Sequence, residues 1–364
     1  MFLSLRTTLL LLLLLLFGRA AASRMGLWYN SHLSCAGHHN GLLLLSVVVT
    51  TNNRAPADQL QRLQFQVDNF AAFADAHGLM RRIEYIIVEY NYDPARPGLS
   101  SLLTFNADYM PLVRVIRVSP EEHATISSRI GFTGYIEFNE FYAKNIGIKR
   151  ACAPFVIVTA ADILFPESFF AELARPNSLR REAYYRAPRC NSEAQQRDLE
   201  NRTAADRIAF ARARIKSCWD CEAGDVRVYR GVRDAPDARL PASGAKHAVC
   251  IGAPGDFLLM SRERWFAYGG YPDVAMPAML DDVPVYQAAA DGAELIQFPA
   301  PTCALHINHE KGYRVDDRDK MFEQMSRIYD FPTEFRQMME HRKARVYNDA
   351  SWGYGGVILP EDWF

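Results

Sequence analysis

L-L-L-L-S-V-V-V-T-T-N-N-R, residues 42 to 54, is the stretch on which the fold turns. It is short, β-branched toward its end and free of charge until Arg54. That is how a strand buried on both faces reads, with Asn52, Asn53 and Arg54 opening a polar loop. Pro56 follows, and Leu60, Leu63, Val67, Phe70 and Ala74 recur at helical spacing until Gly78, so a helix succeeds the strand. The alternation continues outward. I-E-Y-I-I-V-E at 83–89 and L-V-R-V-I-R-V at 112–118 read as strands, 137–149 as a helix, P-F-V-I-V-T at 154–159 as a strand, and Pro166 as the start of another helix. Strands alternating with helices imply an α/β fold, a mostly parallel sheet covered on both faces, whose ligands sit at the carboxyl ends of the strands.

Residues 176–250 break this rhythm. They hold 15 Lys and Arg against 10 Asp and Glu, four cysteines, and a strong helical pattern only around Ala204 to Lys216. So long a loop is improbable inside a compact domain, and the segment is expected to be an inserted, disulfide-tied subdomain. Its positive excess suits an anionic ligand, although a solvated face is the simpler reading. Beyond it, G-D-F-L-L-M-S-R at 255–262 reads as a strand, Arg262 to Tyr268 as a short aromatic helix, G-G-Y-P at 269–272 as a turn, and a helix begins near Asp281. The expected main domain is 42–330, followed by a helical and aromatic tail at 331–364.

The charge balance, 41 Lys and Arg against 42 Asp and Glu in 364 residues, argues against nucleic-acid binding through a basic surface. Arg6, the apolar run Leu9 to Phe17 and the small residues Ala20 to Ser23 match a secretory signal over residues 1–23. The run is short for a membrane span, so a cleaved signal is favoured over an uncleaved anchor. Either version sends the chain into the secretory pathway lumen (Golgi or ER), or out of the cell, where the seven cysteines are expected to form structural disulfides. The pair Cys218 and Cys221 could otherwise be half of a zinc site or a redox pair. Asn201-Arg202-Thr203 is the single glycosylation triplet.

Polar residues gather where strands end: Thr51 to Arg54, Glu89 with Asn91, Asp162, and His306 with His309. Brought to one sheet edge, they offer hydrogen bonds to a nucleotide and oxygen and nitrogen ligands to a divalent cation. Singly each has an ordinary structural explanation, such as Asp162 capping the next helix.

The segments V-V-V-T-T-N-N-R, I-I-V-E-Y-N, A-K-N-I-G-I-K-R-A, V-T-A-A-D-I-L-F, G-D-F-L-L-M-S-R-E-R-W-F-A-Y-G-G-Y-P, D-D-V-P-V-Y-Q-A-A-A-D-G and L-H-I-N-H occur in that order. Together they resemble the GT-A nucleotide-sugar glycosyltransferases, close to the family 2 type, over about residues 42 to 310, with the insert unmatched. The resemblance implies a Rossmann-like sheet flanked by helices. It implies sugar transfer from a UDP- or GDP-sugar donor to a hydroxyl on a glycan or glycoprotein. On that basis Thr51, Asn53, Arg54, Glu89, Lys144 and Asn145 would bind nucleotide, with Glu89 standing where the family has an aspartate. Asp162 would be the last acid of the D-x-D motif.

Ala160 replaces the first acid of that motif, so a cation would need His306 or His309 as further ligands. Histidine favours Mn²⁺ over Mg²⁺, while metal-free neutralisation of the diphosphate by Lys144 or by arginines of the 176–250 segment is the alternative. Asp281 and Asp282 match the catalytic acid of an inverting transfer, in which a carboxylate takes the acceptor's proton. Spacing back from Gly292 favours Asp281, and the acid-Asp-Val order favours Asp282. Trp265, Tyr268 and Tyr271 are expected to stack on sugar, or else to pack in the core, and Gly255 and Asp256 to border sugar or acceptor. The loss at Ala160 motivates a second expectation from another class, a non-catalytic GT-A-like protein that binds nucleotide or carbohydrate.

Overall fold

The structure is a computed structural model that describes Cys35 and residues 42–105, 112–130, 137–219, 249–274, 280–309 and 330–364. The expected signal segment lies outside the described residues. In chain order the strands are β1 Leu45–Thr51, β2 Ile83–Tyr90, β3 Leu112–Val118, β4 Phe155–Val158, β5 Ile163–Leu164, β6 Ala183–Arg186, β7 Arg189–Gln195, β8 Ile215–Trp219, β9 Leu258–Ser261, β10 Glu294–Gln297, β11 Ala304–Asn308 and β12 Glu361–Trp363. The central sheet runs β10-β6-β9-β4-β1-β2-β3-β12, and a second sheet runs β5-β11-β7-β8.

β1 explains the architecture. All seven of its residues are buried, because Leu45, Val47 and Val49 enter one apolar core while Val48 enters the core on the opposite face. β4, β1, β2 and β3 are parallel, and β9 runs antiparallel between β4 and β6. With β2 on one side and β4 on the other, the sheet order reverses at β1, which opens a crevice at the carboxyl ends of β1 and β4. Thr51 to Arg54 and Asp162 follow those two ends.

The first face is covered by the helix Ala57–Ala76, which buries Leu63, Val67, Phe70 and Ala74. The other is covered by the helix Glu140–Arg150, whose first turn is capped by Asn139 Oδ1 accepting from the Tyr142 N–H at 3.0 Å. This helix lies directly on β1. A methyl group at Gly147 would stand 2.5 Å from Val48 Cγ1, so the close approach requires glycine.

Two expectations change. The segment beginning at 176 does not stand apart as a subdomain: β6 joins the central sheet, while β7 and β8 build the second sheet against β11. Likewise the tail after 331 belongs to the main fold, because β12 pairs antiparallel with β3 and Trp352, Tyr354 and Leu359 are buried in the second core. Arg114 of β3, fully buried, makes ion pairs with Glu84 of β2 and, at 2.8 Å, with Glu361 of β12.

Disulfides link Cys35 to Cys152 and Cys190 to Cys218, Cys250 is also disulfide-bonded, and Cys303 is free and buried. Cys218 is therefore committed to a disulfide and does not begin a zinc site.

Candidate active site

β11 pairs antiparallel with β5, so His306 lies opposite Ile163 and next to Asp162, whose carbonyl accepts from the Ile307 N–H at 3.1 Å. His306 Nε2 lies 3.3 Å and His309 Nε2 2.6 Å from Asp162 Oδ2. The three side chains can each offer a ligand atom, all within 4.8 Å of one another. Burial works to raise the Asp162 carboxyl, but hydrogen bonds and charge from His306 and His309 outweigh it and hold the group far below the usual carboxylate range. Asp162 Oδ1 is buried and has no hydrogen-bond partner among the described residues. A carboxylate with a spare buried oxygen beside two imidazoles fits a divalent transition-metal ion better than a magnesium site built from oxygens alone. Ala160 offers no ligand atom.

Asp281 and Asp282 stand across residues 255 and 256 from that cluster. Asp281 precedes the helix Asp282–Ala290 and its Oδ2 accepts from the Gly255 N–H at 3.1 Å. Lys144 is fully buried, pairs with Glu140, and donates to the Gly255 carbonyl at 3.3 Å. Burial raises the Asp281 carboxyl, with Lys144 opposing the rise and Glu140 adding to it. Asp282 is pushed up further by burial and by Asp281, against the pull of Arg186. Asp256 closes the gap: Thr159 Oγ1 donates to its carbonyl at 2.8 Å, and its carboxylate is raised by burial, opposed by Arg189 and reinforced by Asp162.

The residues expected to bind nucleotide divide into two groups. Thr51 and Glu89 are buried at the ends of β1 and β2, and Arg54 follows β1 partly exposed. Thr51 Oγ1 accepts from Gln59 at 3.4 Å, and Arg54 pairs with Glu137 at 3.4 Å. Glu89 is buried, accepts from the Leu99 N–H at 2.9 Å, and lies 3.3 Å from Arg117, which itself stacks 4.4 Å from the Tyr92 ring centre. Burial raises the Glu89 carboxyl, while the Leu99 N–H and Arg117 lower it.

Asn53 and Asn145 are turned inward. Asn53 accepts from the Asp93 N–H at 2.7 Å and donates to the Asp93 carbonyl at 2.9 Å, so it pins the loop after β2. Asn145 holds Tyr271 through both N–H and C=O, at 2.8 and 2.7 Å, and donates to Asp273 at 2.7 Å. Their amides build the crevice wall instead of reading a ligand.

The aromatic expectation is resolved toward the core. Trp265 and Tyr271 are fully buried and Tyr268 nearly so. Trp265 Nε1 donates to the Val156 carbonyl at 3.2 Å, and Tyr268 OH meets Asp291 at 3.2 Å. The helix of Trp265 and Tyr268 packs on β4 and β9, and Tyr271 in the turn after it packs against Trp265 and Phe141, so the three rings belong to the core. The sequence reading offered the arginines of the 176–250 segment only as a group and did not single out Arg186 and Arg189, which flank A-P at the junction of β6 and β7. Arg186 is fully buried and donates to the carbonyls of Phe257 and Gly252, under the loop that carries Asp256. Two arginines three residues apart in a short strand junction were the available signal.

No family model matches the sequence, and no curated protein matches it. Solved structures do align with the chain. TarS of S. aureus, residues 1–349, aligns with a TM-score of 0.44 and 10% identity, over 82% of this chain and 70% of that one. GalNAc-T7 with UDP, GalNAc and Mn²⁺ aligns with a TM-score of 0.46 and 13% identity, over 85% of this chain and 53% of that one. The galactosyltransferase LgtC, in complex with donor and acceptor sugar analogs, aligns with a TM-score of 0.36 and 10% identity over 80% and 99%. This chain thus spans about half the length of GalNAc-T7. At such identity and overlap the likeness assigns no residue role to this chain.

Proposed function

We propose that the chain is a GT-A glycosyltransferase that moves a sugar from a nucleotide-diphosphate donor to a hydroxyl acceptor on a glycan or glycoprotein, by inversion and with a divalent cation, Mn²⁺ first among candidates. One observation carries this reading: residues 255 and 256 join a cluster suited to a cation, Asp162 with His306 and His309, to a buried carboxylate of raised basicity, Asp281. A sugar transfer needs those two functions a few ångströms apart, one for the leaving diphosphate and one for the attacking hydroxyl.

Asp162, His306 and His309 would hold the cation, which supplies positive charge to the leaving diphosphate when bound. Asp281 accepts the acceptor's proton. Its burial beside Glu140 makes it a stronger base than a surface carboxylate, and the Gly255 N–H fixes its orientation. Asp282, on the first turn of the helix and only 6% exposed, is less accessible to an acceptor. Lys144 balances the negative charge of Asp281 and Glu140. The disulfides favour an oxidising compartment, consistent with a place in the secretory pathway or outside the cell.

The test is a thermal-shift screen against UDP, GDP, CMP and their common sugar conjugates with and without Mn²⁺, followed by transfer assays on Asp281→Asn. A metal-dependent shift with one nucleotide is expected, together with a loss of turnover of roughly 10²–10⁴-fold in the variant while donor binding persists. If no nucleotide shifts the protein, the function is wrong. If Asp281→Asn and Asp282→Asn both transfer normally, the base is wrong.

A further inference from the structure

The segment that interrupts the strand and helix alternation supplies a charged pair that the transfer steps above do not use. Arg189 opens β7 opposite Ala304 of β11, the strand that carries His306. Across β8 it faces Trp219, with its guanidinium 4.8 Å from the ring centre, and the Cys190–Cys218 disulfide ties the two strands beside it. Arg189 Nε lies 2.6 Å from Asp256 Oδ2, and the two side chains are only 16% and 18% exposed.

Position 256 has a particular meaning. The Gly255 N–H grips Asp281, while the Asp256 carboxylate lies within electrostatic reach of Asp162, His306 and Lys144. A carbon passing from an oxygen that leaves at Asp162 to a hydroxyl activated at Asp281 must therefore lie over residues 255 and 256. Glycine keeps the first of these low, since a methyl group there would stand 3.1 Å from Asp281 Oδ2. Asp256 is then the charged side chain that such a sugar meets.

We propose, on the basis of the glycosyltransferase reading, that Asp256 held by Arg189 restricts the donor to neutral sugars and turns away uronic and other acidic sugars. A carboxylate accepts hydrogen bonds from sugar hydroxyls and repels a sugar carboxylate. Arg189 is a ready receptor for a carboxylate, and Asp256 occupies it. Selectivity of this kind comes from a repulsive element in the site as much as from an attractive one.

The pair predicts opposite effects for its two halves. Asp256→Asn frees Arg189 for a sugar carboxylate, so an acidic donor gains. Arg189→Gln leaves Asp256 without its counterion, so an acidic donor loses further. The experiment measures the affinity of the full chain with Mn²⁺ for free UDP and GDP, then for UDP-glucose against UDP-glucuronate, or GDP-mannose against GDP-mannuronate, following the nucleotide that binds. The wild type is expected to favour the neutral donor by about tenfold or more, equivalent to about 1.4 kcal/mol. That ratio narrows by about fivefold or more in Asp256→Asn and widens in Arg189→Gln; because it compares two donors on the same variant, any change in affinity for the free nucleotide cancels. The double variant leaves no uncompensated buried charge, and must also narrow the ratio if the single variants do not fold. An unchanged ratio with nucleotide binding intact overturns this inference alone. Absence of nucleotide binding in the wild type overturns it together with the proposed function.

Discussion

Asn53 and Asn145 use buried polarity in one way, and Asp162 and Asp281 in the opposite way. The two asparagines spend their amides on the backbone of the 93–97 loop and of the Gly-Gly-Tyr-Pro turn. The two aspartates keep something in reserve: Asp162 has a buried oxygen without a partner among the described residues, and Asp281 has a carboxyl that burial has made more basic. Closed hydrogen bonds mark architecture, whereas buried capacity left open or a raised carboxylate marks the place for a ligand or a proton.

This contrast can be broken most severely at Asn145. Replacing it with Ala strands the Tyr271 peptide and Asp273, and should cost about 3 kcal/mol in denaturant unfolding. Any Mn²⁺ response should survive in the folded fraction. Asp162→Asn should do the reverse. In the wild type a hundredfold excess of Mn²⁺ over its dissociation constant is expected to stabilise by about 2.7 kcal/mol, and the variant should lose most of that gain when each protein is compared with its own metal-free form. Equal Mn²⁺ shifts in the two proteins would remove Asp162 from the cation site.

A smaller effect concerns pH. Burial raises the Asp273 carboxyl from 3.8 to about 6, against the hydrogen bonds from Asn145 and the Gly353 N–H. The folded chain therefore holds this proton more tightly than the unfolded chain. The stability it contributes is complete below about pH 4 and is lost as pH rises through about 6. Asp273→Asn should flatten that window, so that between pH 4 and 7 the wild type loses about 2 kcal/mol more than the variant. Parallel unfolding curves for the two proteins across this range would show that Asp273 does not titrate differently on folding.

The strands at the centre of the sheet were legible because they are buried on both faces. β1, β2, β3, β4 and β9 each appear as an apolar run, and Pro56, Gly78 and Pro166 mark the helix boundaries between them. The second sheet was not legible. β5 has two residues, and β7 alternates buried with exposed positions while pairing with β11 more than a hundred residues away, so no local window contains its reason for being a strand. The same non-locality hid the Arg189 and Asp256 pair. Asp162, His306 and His309 were visible as residue types at strand ends, and the structure brings them together. Trp265, Tyr268 and Tyr271 misled because an amphipathic aromatic helix looks alike whether its rings face a ligand or a core. Asn53 and Asn145 misled because sequence gives the presence of an amide but not its partner.

The buried ion cluster of Arg114, Glu84 and Glu361 bears on how the protein is made. Glu84 and Arg114 are translated early, but Arg114 waits for Glu361 and for the ring of Trp363, which lies 4.5 Å from its guanidinium. At roughly 5–20 residues per second, the intervening synthesis leaves β3 without its neighbour β12 for ten seconds or more, as an open edge with Nε and Nη2 of Arg114 still lacking their Glu361 acceptor. During that interval the nascent chain presents a ready template for pairing with another chain. The closing three-residue strand is short, but it ends that exposure.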